Sequence, residues 1–179
     1  EEEGVKGCAA NGIDEKTANQ IFDDMTDFAK YAFGKSHAAA YAVVAYRTAY
    51  LKYYYPREFM AALMTSIMDN VTKVSEYILA CRNMGIGILP PDINEGVSGF
   101  SVSGNSIRYG LSAIKSVGRA VVDVIISERE AGGPFSTLED FVSRMSNREV
   151  NKRTLESFIK SGSLDSLPGT RKQKLYVSS

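Results

Sequence analysis

A glycine, a lysine, a serine and the chain's single histidine stand together at residues 34–37, where they could bind a phosphate. Serine is a preferred N-cap of α-helices, so Ser36 predicts a helix that begins near His37 and runs through an alanine- and tyrosine-rich stretch. The first turn of a helix presents unpaired N–H groups and a partial positive charge, beside which Lys35 and His37 would lie. The pattern alone favours an ordinary capped helix with a solvated lysine.

Residues 111–130 contain a second pattern that suits phosphate binding. A short helix, the turn Ser116-Val117-Gly118 and a longer helix to about Glu130 are typical of a helix-hairpin-helix. Gly118 would let a DNA phosphate approach the backbone, and the helix after it would point N–H groups at that phosphate. Such hairpins usually carry glycine at both turn positions, whereas the first position here is Ser116. A plain helical turn therefore stands beside the DNA clamp as an alternative.

Basic residues accompany this second pattern. Lys115 and Arg119 flank the turn, which predicts contact with the DNA backbone rather than with the bases. Lys152, Arg153 and Lys160 lie on one later helix and could follow a phosphate strand, although such a run is more often only a solvated helix face. The net charge is zero, but acids crowd the start of the chain and bases its end, so an anionic partner would meet a local basic surface.

The elements that position these residues are mostly helical. Periodicity and capping residues predict four helices in the first half, at about residues 15–31, 37–54, 57–68 and 73–83. Residues 86–99, with Pro90 and Pro91, predict an extended connector. Alternating residues around Gly104-Asn105 predict a two-stranded hairpin, which should lie against helices because a lone hairpin is marginal in water.

Three further helices are predicted after the helix-hairpin-helix. Ser136 and Glu139 form a capping-box pattern at the start of a helix that ends near Met145. Asn151 and Thr170 are placed to cap the last two helices. The first of these spans about residues 152–160, and the second is short and basic.

Composition excludes several classes of protein. Hydrophobic residues make up 44% and charged residues 23% of the chain, which is ordinary for a soluble globular protein. The two cysteines, Cys8 and Cys81, lie far apart and cannot supply a zinc site, so free thiols in a reducing cytoplasm are expected. No leader and no apolar run of about 20 residues is present, so no membrane span is expected. The start without methionine suggests an excised piece.

Four stretches in the same order carry a family resemblance: residues 33–41, 53–62, 88–94 and 109–118. Together they closely resemble the alpha subunits of bacterial DNA polymerase III (DnaE type), over nearly the whole chain. The resemblance implies a mainly α fold, with a helical fingers bundle followed by a small β-hairpin and a helix-hairpin-helix-type helical domain. It assigns residues 1–92 to the later part of the polymerase fingers and residues 93–179 to the DNA-binding region.

The resemblance also implies roles for the two patterns. Gly34, Lys35, Ser36, His37 and Arg47 would bind the triphosphate of the incoming nucleotide or the template backbone. The duplex leaving the active site would be gripped by a second set: Lys115, Ser116, Val117, Gly118, Arg119, Lys152 and Arg153. The expected partners are primer-template DNA, the incoming dNTP and the remainder of the polymerase III holoenzyme, with no membrane.

The catalytic palm of such a polymerase, whose aspartates hold two Mg²⁺ ions, would lie upstream of this chain. The chain is therefore expected to contain no catalytic residue, no metal site and no cofactor, and not to polymerise DNA by itself. Two other classes of function stand beside this interpretation. One is a stand-alone helix-hairpin-helix module of a repair or replication factor, for which residues 1–83 have no evident use. The other is a helical protein-interaction domain, which the neutral net charge permits.

Overall fold

A computed structural model describes residues 7–30, 34–145 and 150–177. The chain divides after Thr48 into two compact units, Glu1–Thr48 and Ala49–Ser179. Within the described ranges, no helix is long and apolar enough to cross a membrane.

The first unit contains a 3-10 turn, Ala9–Asn11, then helix α1, Glu15–Lys30, and the first part of helix α2, Lys35–Tyr54. Asp14 caps α1, because the backbone N–H of Thr17 donates to its carboxylate at 3.0 Å and the Thr17 hydroxyl donates to it at 2.6 Å. These hydrogen bonds hold the pKa of the Asp14 carboxyl below its usual value. Large apolar side chains of α1 are exposed, with Phe22 at 69% and Phe28 at 79%.

The second unit begins with the end of α2 and two shorter helices, α3, Pro56–Ser66, and α4, Val71–Asn83. Pro56 occupies the first turn of α3, where its missing N–H costs no hydrogen bond. Asn70 caps α4 by accepting from the Lys73 amide at 3.1 Å. Gly85, just beyond the end of α4, adopts the left-handed conformation with φ 74°, which is common for glycine at the end of a helix.

A three-stranded sheet follows, with strands β1, Gly87–Leu89, β2, Ser101–Ser103, and β3, Ser106–Arg108. The predicted hairpin is confirmed: β2 and β3 pair antiparallel, with Val102 opposite Ile107. Part of the predicted extended connector is a third strand, because β1 pairs parallel to β3 and gives the order β1-β3-β2. The hairpin also lies against helices, since Phe100 and Ile107 share a buried cluster with Met60, Met64 and Val74.

The remainder of this unit is helical: α5, Arg119–Gly132, α6, Leu138–Met145, α7, Lys152–Ser161, and α8, Arg171–Val177. These helices enclose a second buried cluster. Its centre is a row of edge-to-face aromatic rings, with centroids 5.0 Å apart for Phe135 and Phe141 and 6.1 Å apart for Phe141 and Phe158. All three rings are at most 2% exposed. The mainly α architecture with a small sheet agrees with the predicted fold class.

Side-chain caps are present at the starts of α6 and α7, and the position predicted for the α6 cap is corrected by one residue. Asn151 caps α7 by accepting from the Thr154 amide at 2.9 Å, as predicted. The capping box of α6 lies one residue later than expected, because Thr137 accepts from the Asp140 amide at 3.1 Å. Asp140 in turn accepts from the Ser136 amide, and that hydrogen bond lowers the pKa of the Asp140 carboxyl.

The connector after β1 is held to the helical region by the side chain of Asn94, which forms two hydrogen bonds with the backbone of Phe135. The Asn94 amide nitrogen donates to the Phe135 carbonyl at 2.9 Å, and the Phe135 N–H donates to the Asn94 amide oxygen at 2.8 Å. The Asp92 carboxylate shapes the turn before it by accepting from the backbone N–H of Asn94 at 2.7 Å. Residues 92–94 are thus anchors of the fold.

Candidate nucleic-acid interface

The predicted hairpin turn is present, but its first helix is shorter than expected. Leu111–Ala113 form a single 3-10 turn rather than a short α-helix. Three apolar side chains fasten the segment from inside, since Leu111, Ile114 and Val117 all belong to the second buried cluster. Burial of these three side chains holds the rest of the turn at the surface, with Lys115, Ser116 and Gly118 exposed.

Ser116 occupies the position where glycine is usual, and it adopts a glycine-like backbone. Its φ is 67°, and among the described residues it is the only one other than glycine with a positive φ. A left-handed conformation costs a residue with a Cβ about 1–2 kcal/mol. The turn therefore keeps the geometry of a helix-hairpin-helix despite the missing glycine, and the exposed serine hydroxyl is the difference.

Gly118 forms the start of α5 without any internal need for glycine. Its backbone is extended, with φ −81° and ψ 152°, and a Cβ placed on it would meet nothing within 4 Å. Gly110 shows the opposite case, because a Cβ there would lie 2.6 Å from the backbone of Gly99. Since the fold itself leaves room at Gly118, the missing side chain keeps open a surface on which another molecule can approach the backbone.

The start of α5 is electrostatically suited to an anion. Gly118 makes no side-chain capping hydrogen bond, and the first turn of α5 carries no acidic residue. Lys115 and Arg119 on either side of the turn are exposed. Val117, which the sequence analysis placed in the same set, is 7% exposed and packs into the core. Any contact that Val117 makes with a ligand would use its backbone.

Lys152 and Arg153 lie at the start of another helix, α7, and both are exposed. Asn151 already caps this helix start. Neither residue lines the groove that adjoins the hairpin turn. That groove lies between the turn and the other end of α7, and its described lining includes Lys115, Ser116 and Lys160. Of the three basic residues predicted on this helix, the structure thus places Lys160, and neither Lys152 nor Arg153, beside the hairpin turn.

Lys160 is held by a neighbour on its own helix. Its ammonium lies 2.7 Å from the Glu156 carboxylate, one turn away, and 62% of the lysine side chain is exposed. The hydrogen bond from Lys160, together with its charge, holds the pKa of the Glu156 carboxyl below its usual value. Tyr109 also lines the groove, and burial raises the pKa of its hydroxyl, which therefore stays neutral.

Two basic residues in the later part of the chain form contacts inside the fold. Lys174 is 3% exposed and donates to the Leu164 and Leu167 carbonyls at 2.6 and 2.7 Å. Arg144 donates to the Glu128 carbonyl at 2.7 Å and lies over the Phe135 ring at 4.3 Å. Two of the cations that make the end of the chain basic are therefore occupied inside the second unit.

The first predicted phosphate-binding site, residues 34–37, lies in the first unit at the start of α2. The helix begins at Lys35, and the Ala38 amide donates to the Gly34 carbonyl at 3.1 Å. Ser36 is therefore inside the first turn rather than the N-cap, which corrects the predicted boundary. The ring of His37 lies 4.4 Å from that of Tyr41. The Lys35 side chain and Phe33 fall outside the described part of the structure.

Arg47 lies away from this predicted site at the helix start. It is exposed and follows His37 by ten residues on the same helix, which at a rise of 1.5 Å per residue corresponds to about 15 Å along the axis. In the described ranges, no group of three or more His, Cys, Asp or Glu side chains could hold a metal ion.

Comparison with known proteins agrees with this geometry. A family model described as a helix-hairpin-helix motif matches residues 85–174. Over 161 residues, the chain is 49% identical to the DNA polymerase III subunit alpha of Thermus aquaticus, covering 90% of this chain and 13% of that protein. The corresponding subunit of Borreliella burgdorferi is 47% identical over 168 residues, which cover 94% of this chain and 15% of the relative. The chain thus spans about a seventh of the length of the relatives it matches.

Proposed function

This chain belongs to the helix-hairpin-helix family, and on that premise we propose that its second unit binds the backbone of duplex DNA without regard to sequence. The observation that carries the proposal is the exposed, uncapped start of α5 at Gly118, where the fold leaves open space. A phosphate there would accept hydrogen bonds from the free N–H groups of the first turn. Lys115 and Arg119 would add charge but no base readout.

The similarity to DNA polymerase III alpha subunits extends the proposal to the parent protein. Because it covers at least 90% of the chain, it includes much of the first unit. That extent favours a piece of a replicative polymerase over a stand-alone DNA-binding module or a protein-interaction domain. Within the intact cytoplasmic polymerase, residues 93–179 would hold the duplex that leaves the active site. The chain alone, without the palm and its Mg²⁺ ions, would not polymerise DNA.

Titration of the chain with a fluorescent duplex at two salt concentrations, followed by anisotropy, tests duplex binding. Replacing Lys115 and Arg119 together with glutamine should raise the Kd roughly three- to tenfold at low salt. The slope of log K against log salt should fall by about 0.9 for each phosphate that the variant no longer neutralises. The proposal would be contradicted if the unaltered chain did not bind the duplex. It would also be contradicted if this double replacement left the Kd unchanged.

For the first unit, we propose that the start of α2 contacts the triphosphate of the incoming nucleotide in the intact polymerase. Gly34, Lys35, Ser36 and His37 would neutralise phosphate charge and orient the leaving pyrophosphate, with Arg47 contacting the substrate farther along the helix. None of them would exchange the reacting proton. The free N–H groups of a helix start that carries no acid in its first turn support this role.

Replacing Lys35 with alanine in the full-length alpha subunit should raise the apparent KM for dNTP several-fold, because one favourable charge is removed. Steady-state primer extension measures this parameter. The exposed Lys16 on α1 offers a control: Lys16→Ala should leave KM unchanged. Equal kinetics for Lys35→Ala and the unaltered enzyme would remove this helix start from nucleotide binding.

A further inference from the structure

The groove beside the hairpin turn has a volume of about 600 Å³ and lies wholly within the second unit. One rim is formed by Lys115 and Ser116, and another part of the lining by Lys160 of α7. Pro91, Tyr109 and Ile114 contribute mainly apolar surface. The groove is thus continuous with the hairpin turn, since the same two residues belong to both.

The lining has a distinct chemistry. It contains two lysines and no acidic residue among those described. A DNA strand carries one negative charge for every 3.4 Å of helix axis, and its deoxyribose carbons lie between those charges. Lysines on a mainly apolar groove suit such a strand in chemical type, with phosphates at the ammonium groups and sugars on the apolar lining. The two ammonium groups would bind a phosphate more strongly than an uncharged acceptor.

We propose that this groove holds the backbone of a DNA strand beyond the hairpin turn, with Lys160 contacting a phosphate of that strand. The inference rests on the proposed duplex binding and deepens it by adding a contact from a second helix. The strand would pass from the N–H groups at Gly118, along Lys115, to the end of α7. The sequence pattern groups Lys160 with Lys152 and Arg153 and does not separate the three, because the groove forms only in the folded chain.

Glu156 sets the strength of this contact. Its carboxylate lies 2.7 Å from the Lys160 ammonium, so a phosphate must compete with it for the same donor. Removing the carboxylate charge should therefore strengthen binding, but only while Lys160 is present. This dependence separates a specific contact from a general change in charge.

The test is anisotropy of the chain with a fluorescent 20-base-pair duplex over a series of salt concentrations. Lys160→Gln should raise the Kd about three- to fivefold at low salt and lower the salt slope by about 0.9, the value for one phosphate contact. Glu156→Gln should lower the Kd about twofold and have no effect in the Lys160→Gln background. The control is Lys172→Gln, which removes an exposed lysine outside the groove.

The outcomes separate this inference from the proposal on which it rests. If Lys160→Gln changes neither Kd nor slope while the Lys115 and Arg119 replacements weaken binding, the groove contact is wrong and the hairpin contact stands. If Lys172→Gln weakens binding as much as Lys160→Gln, the effect is one of total charge and the inference also fails. If none of these replacements matters, both proposals are wrong.

Discussion

Replacing Gly118 with valine should weaken duplex binding by at least about tenfold, which corresponds to about 1.4 kcal/mol, while the chain stays folded. Valine suits the extended φ of −81° and ψ of 152° at this position, and its Cβ would meet nothing within 4 Å. The added methyl groups would instead stand in the space through which a phosphate reaches the N–H groups of α5. The loss should therefore appear in binding and hardly in folding.

Two measurements complete this experiment. Anisotropy with duplex DNA gives the Kd, and urea unfolding followed by circular dichroism gives the stability of the same variant. Valine is a poorer N-cap than glycine, so Thr170→Val, which removes the cap of α8, serves as a control for weakened capping away from the turn. Thr170→Val should bind normally. Normal binding by Gly118→Val would show that no phosphate approaches this backbone.

The largest loss of stability is expected from Asn94→Ala, at about 2–4 kcal/mol. Alanine removes both hydrogen bonds to Phe135 and leaves its N–H and carbonyl unpaired. Phe135 is 2% exposed, so water replaces these bonds poorly. Urea unfolding of the chain measures the change.

Asn105→Ala is the matched control, because this asparagine accepts its hydrogen bond from Arg57 in an exposed turn. It should cost less than about 1 kcal/mol, since water can reach the donor that is left. A loss at Asn94 no larger than that at Asn105 would mean that the paired amide contributes little to the fold.

Features with a local cause could be predicted from the sequence. Pro56 starts a helix because its ring and missing N–H fit the first turn, and Asn70 and Asn151 cap helices with their own side chains. The sequence predicts the capping box of α6 one residue too early, because Ser136 and Thr137 are both able to cap. Asp140, which reaches back to the Ser136 amide, decides between them in the structure.

Features that depend on distant residues could not be predicted. Strand β1 has only three residues, too few to show a periodicity, and it pairs with β3, from which β2 separates it in the sequence. The predicted helix at Leu111 is a 3-10 turn because its apolar side chains are drawn into the core of the second unit. The tertiary structure overrides local propensity in both places.

The sequence predicts only the part of the candidate interface that has a local cause. Ser116-Val117-Gly118 is a local signal, and the turn lies where the sequence predicts it. A tally of basic residues, however, cannot tell that Lys174 is buried on two carbonyls or that Lys160 borders a groove. Only the fold separates cations that stabilise the protein from those that are available to an anion.

The two thiols of the chain have very different accessibility. Cys81 is fully buried, and burial raises the pKa of its thiol, whereas Cys8 is exposed. Because the thiolate is the reactive form, a maleimide dye applied to the folded chain would attach at Cys8 and spare Cys81. A single fluorophore could thus report DNA binding from the first unit, with every lysine of the second unit left chemically intact.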